Sequence, residues 1–250
     1  MTPWSVVLNP AAYLISHNLR TYPCDLVESL TMSSDTADSY LDYYPYWGGP
    51  SMLAGQLCYL SFGEKRSKDH RTYIKKILEQ KHGSVLEHTV ATLGLTGIDR
   101  AVTHELVRHR AGFAYSQVSQ RYVDALRFVF PAELDQKDDL VEWGQYISAC
   151  VKEYDRRLAL MGEGEGTKGR KERRQAARRA LPNETEAPII VTGNMRAWRH
   201  FLEVRGSEHA DLAMRNCAIE VFNTLKPSFD DFLQDIRVED GVIKVEYSKV

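Results

Sequence analysis

The 250-residue chain holds only four cysteines, Cys24, Cys58, Cys150 and Cys217, widely scattered along it. They form no Cys-x-x-Cys pair, and no basic-then-apolar leader precedes them, so a disulfide framework and a thiolate metal knuckle are excluded and a reducing cytoplasm is predicted. No window approaches the roughly 18 consecutive apolar residues of a membrane span, which predicts a soluble chain without a membrane partner. An excess of one charge is missing too: 32 Lys and Arg stand against 34 Asp and Glu, a net charge of −2. That balance excludes a protein that coats nucleic acid by charge alone, so any basic site must be local. Internal repeats are absent. What is present, 43% hydrophobic and 26% charged residues over 250 positions, suffices for one core, and a single domain over residues 1–250 is predicted.

The pattern along the chain alternates between helix and strand without regular β-α-β spacing. "VVLNPAAYLI" at the start reads as an edge strand, and "SSDTADSYLDYYPYWGGP" as loop and turn. Tyr73 and Ile77 recur at helical spacing between Lys68 and Gln80, with Gly83 as the stop. "TVATLGLTGI" alternates as a half-buried strand does, and Asp99 is a fair N-cap for a helix through Val107. A helix over Leu140–Leu160 is predicted to pack with Val141, Tyr146, Val151, Tyr154 and Leu158. A basic helix runs to Leu181 and Pro182, "PIIVTGN" is a short strand, and a last long helix starts near Ser207 with Ala210, Ala213, Met214, Cys217, Val221 and Leu225 inside. The fold class implied is α+β, helices packed on a small, mainly antiparallel sheet.

Several motifs fail on inspection. Gly164, Gly166 and Gly169 match Gly-x-Gly-x-x-Gly, but that phosphate loop needs a strand before it, whereas a helix precedes and Glu163 and Glu165 lie inside. The stretch reads as a linker. His104-Glu105 begins a zinc-protease signature, yet Arg108 occupies the place of the second histidine, and His82 and His88, six apart, do not share a helical face. No metal site is predicted. Lys168, Arg170, Lys171, Arg173, Arg174, Arg178 and Arg179 make a basic stretch without interleaved aromatics for base stacking, so a solvated helix face is expected there and no nucleic-acid partner. One or two of its arginines could still grip a phosphate.

One stretch remains unexplained by these readings. In "RHRAGFAYSQVSQR", Arg108, His109 and Arg110 stand side by side and repel one another unless an anion or water separates them. Arg108 and Arg110 can fork onto phosphate oxygens, and Ser119 and Arg121, two apart, would lie on one side of an extended segment and address a second anion or a polar ring.

This stretch resembles the signature of flavin-dependent thymidylate synthases, Arg-His-Arg followed after a spacer by Ser-x-Arg. The eight-residue spacer is one longer than the family's usual one, and it is expected to form a loop. "KHGSVLEH" is similar to an upstream family segment ending in His88, and "GNMRAWRHFLEVRGSEHAD" to a downstream one. Together the resemblance covers residues 50 to 226.

The resemblance implies methylation of dUMP to dTMP, with methylenetetrahydrofolate as carbon donor, FAD as hydride carrier and NADPH as its reductant. It places FAD against His88, Val90, Arg108, His109, Arg110, Gln117, Asn194, Arg196 and His200. It places dUMP against Glu105, Arg108, Gln117, Ser119, Gln120, Arg121, Arg178 and Arg205, with Arg205 activating the uracil. A homotetramer with shared active sites is also implied. Read without the resemblance, His88, His200 and His209 would be ordinary core or surface histidines on helical stretches, and Arg205 a surface partner of Glu203 or Glu208.

Two rival functions are open on sequence. A cysteine-dependent thymidylate synthase would use Cys24 in "YPCDL", but Asp25 beside it disfavours the thiolate. A nucleic-acid-binding module would use residues 168 to 179.

Overall fold

The computed structural model describes residues 4–17, 49–59, 61, 69–123, 126–162 and 166–250. Cys24, Gly164 and nearly all of the polar run after the first strands lie outside the described residues. The fold is α+β, a single domain, with a small, mostly antiparallel set of sheets as predicted.

The central sheet has four antiparallel strands in the order β2 (Ala11–His17), β3 (Val90–Thr96), β6 (Ile189–Asn194), β4 (Phe113–Gln117). Alternation turns Ala91, Leu93, Leu95, Ile189 and Val191 to one buried face. Onto that face pack α6 (Met195–Arg205), with Trp198, Phe201 and Leu202, and α7 (Leu212–Phe229), with Met214, Cys217, Val221 and Leu225. These apolar positions recur at helical spacing, so each helix presents one stripe to the sheet. Helix α2 (His70–Glu79) adds Ile74, Ile77 and Leu78 to the same core.

A second, smaller cluster lies under β1 (Trp4–Val7) and β5 (Leu126–Val129), which pair in parallel. Phe128 and Phe130 meet Trp143, Ile147, Val151 and Tyr154 of α4 (Leu140–Leu160), and Ala177 at the end of α5 (Gly166–Ala177) closes it. The chain ends in a hairpin, β7 (Ile236–Glu239) and β8 (Val242–Val245), whose Asp240-Gly241 turn has positive φ at both residues, as a tight hairpin turn demands.

The structure revises several sequence expectations. The opening edge strand is two strands in two different sheets, broken at Asn9-Pro10, where Pro10 lacks the N–H a continuous ladder needs. Gly49 and Pro50 begin a helix, α1 (Gly49–Cys58), rather than ending a loop. The α2 helix stops at Glu79, before Lys81 at φ 57°, and Gly83 instead opens a 3-10 segment, Gly83–His88. Val141 and Tyr146 face solvent, and Trp143 and Ile147 carry the buried stripe of α4. Ser207 to Ala210 form a turn that includes His209, and α7 starts five residues later because Asp211 caps it through the Met214 N–H. Gly166 and Gly169 belong to α5, which begins where the linker was expected.

One buried ion pair locks the C-terminal segment to α6. Arg199, 4% exposed at its side chain, donates two hydrogen bonds to the Asp235 carboxylate and others to the carbonyls of Phe232 and Tyr247. Removing the carboxylate strands a charge in the core, so Asp235→Ala is expected to cost about 3 to 5 kcal/mol of stability. Urea unfolding of the two proteins measures this, and a loss below about 1 kcal/mol would show the pair to be dispensable.

Candidate active site

Helix α3 (Arg100–Leu106) delivers the basic cluster. Asp99 caps it, its side chain accepting from the Val102 N–H at 2.8 Å, as the sequence predicts. After Leu106 the chain turns, and the Tyr115 hydroxyl, which lies within bonding distance of the carbonyls of both Leu106 and His109, pins that turn from β4. Gly112 follows at φ 76°, with its carbonyl accepting the Asn194 N–H. A side chain there would lie 2.7 Å from Asn194 Nδ2, so this close approach requires glycine.

The eight residues between Arg110 and Ser119 are therefore not a loop: most of them form β4, paired with β6. Ser119 and Arg121 are not on an extended segment either. The strand ends at Gln117, and residues 119–122 form a turn closed by Tyr122 N–H to the Ser119 carbonyl.

Asn194 ends β6 and begins α6, where its Oδ1 accepts the Ala197 N–H at 2.9 Å. Six residues on, His200 projects beside His109, and at the last turn Arg205 does so as well, a position where helix dipole and guanidinium attract. Arg108, His109, Arg110, Ala111, Phe113, His200 and Arg205 line one cleft of about 520 Å³.

Arg205 is held there by two acceptors from the α3 side. Its Nε donates to His109 Nε2 at 2.9 Å and its Nη1 to Glu105 Oε2 at 2.6 Å. The sequence expectation of Glu203 or Glu208 as partner is thus replaced by Glu105, brought in from a different helix. The His109 ring rests against Phe113, Phe201 and His200. Burial, reinforced by Arg205, His200 and Arg108, lowers its pKa from 6.5 to about 4. At neutral pH the imidazole is uncharged, which is the form whose Nε2 can accept from Arg205. Arg108 and Arg110 are exposed at the cleft and form no ion pair among the described residues.

The remaining predicted residues fall in two other groups that do not line this cleft. Val90 pairs with Asn194 at the end of the sheet, and His88 is exposed at the end of the 3-10 segment just before it. Arg196 donates to Glu87 at 2.7 Å through Nη1 and to the Val250 carbonyl at 3.3 Å through Nε. The other group adjoins α3 through Gln117. Gln117 donates to Thr103 at 3.2 Å, and the Ser119 hydroxyl accepts the Arg121 N–H. Gln120 Nε2 and Arg121 Nε are buried with no hydrogen-bond partner among the described residues.

Arg178, in a 3-10 turn after α5, lies close enough to Arg100 to depress its pKa further than burial alone does. Two guanidiniums within electrostatic reach of each other are a combination that an anion would relieve. Arg100 was not singled out in the sequence, because only the tertiary structure brings it to Arg178.

An α+β fold with unpaired guanidiniums at a concave site has the chemistry that suits phosphate-bearing small molecules. Comparison with known proteins narrows that class. Residues 47–229 match the family described as thymidylate synthase complementing protein, and the chain belongs to that family. A flavin-dependent thymidylate synthase of Mycobacterium avium (strain 104) is 44% identical over 194 residues, 71% of this chain and 76% of that protein. A flavin-dependent thymidylate synthase of Mycolicibacterium vanbaalenii is 40% identical over 203 residues, 76% of this chain and 81% of that one. The crystal structure of the UMP/dUMP methylase PolB from Streptomyces cacaoi, bound with 5-Br dUMP, shares the fold at 17% identity. Its TM-score is 0.61, covering 92% of this chain and 95% of that one.

The depressed His109 pKa carries a pH signature. Between pH 6.5 and about 4 the unfolded chain binds a proton at this ring that the folded protein excludes, so stability falls as pH drops through that window. The His109→Gln protein is expected to lack that component. The difference between the two proteins' unfolding free energies, measured by urea at stepped pH, should slope across the window, and a flat difference would contradict a neutral, desolvated His109.

Proposed function

We propose that this protein methylates dUMP to dTMP, with methylenetetrahydrofolate as carbon donor, FAD as hydride carrier and NADPH as the reductant of FAD. The observation that carries the reading is the convergence of Arg108, His109, Arg110, His200 and Arg205 on one cleft, in a chain of the thymidylate synthase complementing family. Its relatives' names, flavin-dependent thymidylate synthase, supply the cofactor class.

The residues present fit a flavin dinucleotide. Arg108 and Arg110 offer guanidinium forks to a pyrophosphate, and His109 and His200 offer polar ring edges beside the aromatic rings of Phe113 and Phe201. His88, Val90, Gln117, Asn194 and Arg196 complete the proposed contacts, from a neighbouring chain where one chain's cleft does not reach them. Flavin, when bound, supplies the hydride that turns the transferred methylene into a methyl group.

The chain's own residues do the rest. Arg205 bonds to protein through Nε and Nη1 and has Nη2 left for a ligand among the described residues. Its charge favours the anionic form of the uracil ring and so raises electron density at the carbon that attacks the methylene. Glu105 serves the substrate through Arg205, by fixing the guanidinium plane. Gln117, Ser119, Gln120, Arg121 and Arg178 bind the nucleotide, with Arg100 beside Arg178 at its phosphate. No cysteine nucleophile is needed. Arg205→Ala is expected to lower turnover about 10²- to 10³-fold at saturating dUMP, the scale of a lost oxyanion-hole donor, while flavin stays bound. Cys24→Ala is expected to be silent. Turnover with flavin absorbance per chain measures both, and an inactive Cys24→Ala protein would restore the covalent mechanism.

Because Gln117, Ser119, Gln120, Arg121 and Arg178 do not line the cleft that holds Arg205, we infer that complete pockets form between chains of a homotetramer. Arg205→Ala and Arg121→Ala proteins, each impaired alone, should then regain activity after subunit exchange, since some pockets draw both intact residues. Confirmed exchange with no regain would place both residues in one chain's pocket.

A further inference from the structure

Arg205 is the last residue of α6, and the turn after it is packed with little slack. Gly206 caps the helix at φ −87°, a conformation open to any residue, so backbone freedom does not explain a glycine here. Space does. A Cβ at Gly206 would lie 2.5 Å from Ile243 Cβ and Cδ1 and 2.6 Å from Cγ1. Ile243 Cβ is one bond from its backbone and cannot swing aside, and the Ile243 N–H is bonded to the Gly206 carbonyl at 2.8 Å. Reaching ordinary carbon contact would drive the two backbones apart by about 1 Å.

The hairpin has little freedom to give way. Ile243 is buried in the main core, Asp235 just before β7 is clamped by Arg199 of α6, and the Lys249 N–H bonds to Glu203 on the same helix. The end of α6 must therefore share the displacement, and Arg205 with it. Its two bonds, 2.9 Å to His109 and 2.6 Å to Glu105, tolerate no such shift. The hairpin also lies beyond residue 229, where the family match ends.

We propose that Gly206 and Ile243 are positioning residues for Arg205: the backbone contact between the C-terminal hairpin and the end of α6 sets how far the guanidinium reaches toward Glu105 and His109. The functional consequence rests on Arg205 as the uracil-activating group proposed above.

Gly206→Ala tests this with two readouts. Turnover at saturating dUMP should fall roughly 10- to 100-fold, the scale of a 1 Å misplacement, with flavin per chain unchanged. Independently of activity, the His109 titration followed by NMR should move up from about 4 by part of the Arg205 contribution, while burial, the larger cause, and the facing Arg108 and His200 keep it below 6.5. In an Arg205→Ala background the same substitution should change turnover less than about twofold. Adding Ile243→Gly to Gly206→Ala returns the space, and both readouts should match those of Ile243→Gly alone. That comparison also serves if Gly206→Ala does not accumulate as folded protein. The contact is overturned if Gly206→Ala leaves turnover and titration unmoved, if its loss persists in the Arg205→Ala background, or if Ile243→Gly brings no relief. A moved titration with unchanged turnover upholds the contact and counts against Arg205 as the activating group.

Discussion

The hydrogen bond from Arg205 to a neutral His109 is the constraint on which the arrangement of the site depends. An imidazolium in that place would present a proton to a guanidinium and be repelled by it, so the two side chains can share the cleft only while the ring stays uncharged. The protein secures this by packing the ring edge-on against Phe113, Phe201 and His200, where desolvation alone already disfavours the charged form. Glu105 then neutralises part of the arginine from the other side. A cationic cluster that would spread apart in water is thereby held at fixed spacing, ready for an anion.

That spacing is inherited from the sheet. Gly112 packs on Asn194, the Asn194 backbone N–H bonds back to Gly112, and the Asn194 side chain starts α6, so the basic turn and the helix carrying His200 and Arg205 leave the same end of the same pair of strands. Trp198 packs edge-on against Phe113 at 4.9 Å and against Phe201, filling the wedge between helix and strand. Groups set on paired strands and a capped helix are held more tightly than groups on loops, which suits the proposed task of orienting two anionic ligands at once.

Much of this is legible in the sequence. Local chemistry marks the Asp99 cap, the 21-residue α4, the alternation of β3 and the basic triplet, because each depends on residues a few positions apart. The motif order around Arg108, His88 and Arg205 points to the family. Short strands are less legible: β4 looks like a spacer since Phe113 to Gln117 carries mixed polar and aromatic residues, and only pairing with β6 makes it a strand. The Asp240-Gly241 hairpin signal is present in the sequence but lies outside the stretch that carries the chemistry.

By itself, then, the sequence determined which groups are available: guanidiniums in excess over local carboxylates, a histidine between two of them, polar caps where helices start, and a glycine where two backbones press together. Only the tertiary structure decided which of these meet. Glu105 and Arg205 are 100 positions apart, His109 and Arg205 are 96 apart, and Arg100 and Arg178 belong to different segments altogether. No periodicity or spacing rule links such residues, because their encounter is set by how two helices seat on one sheet, and that is a property of packing in the whole core rather than of any stretch of chain.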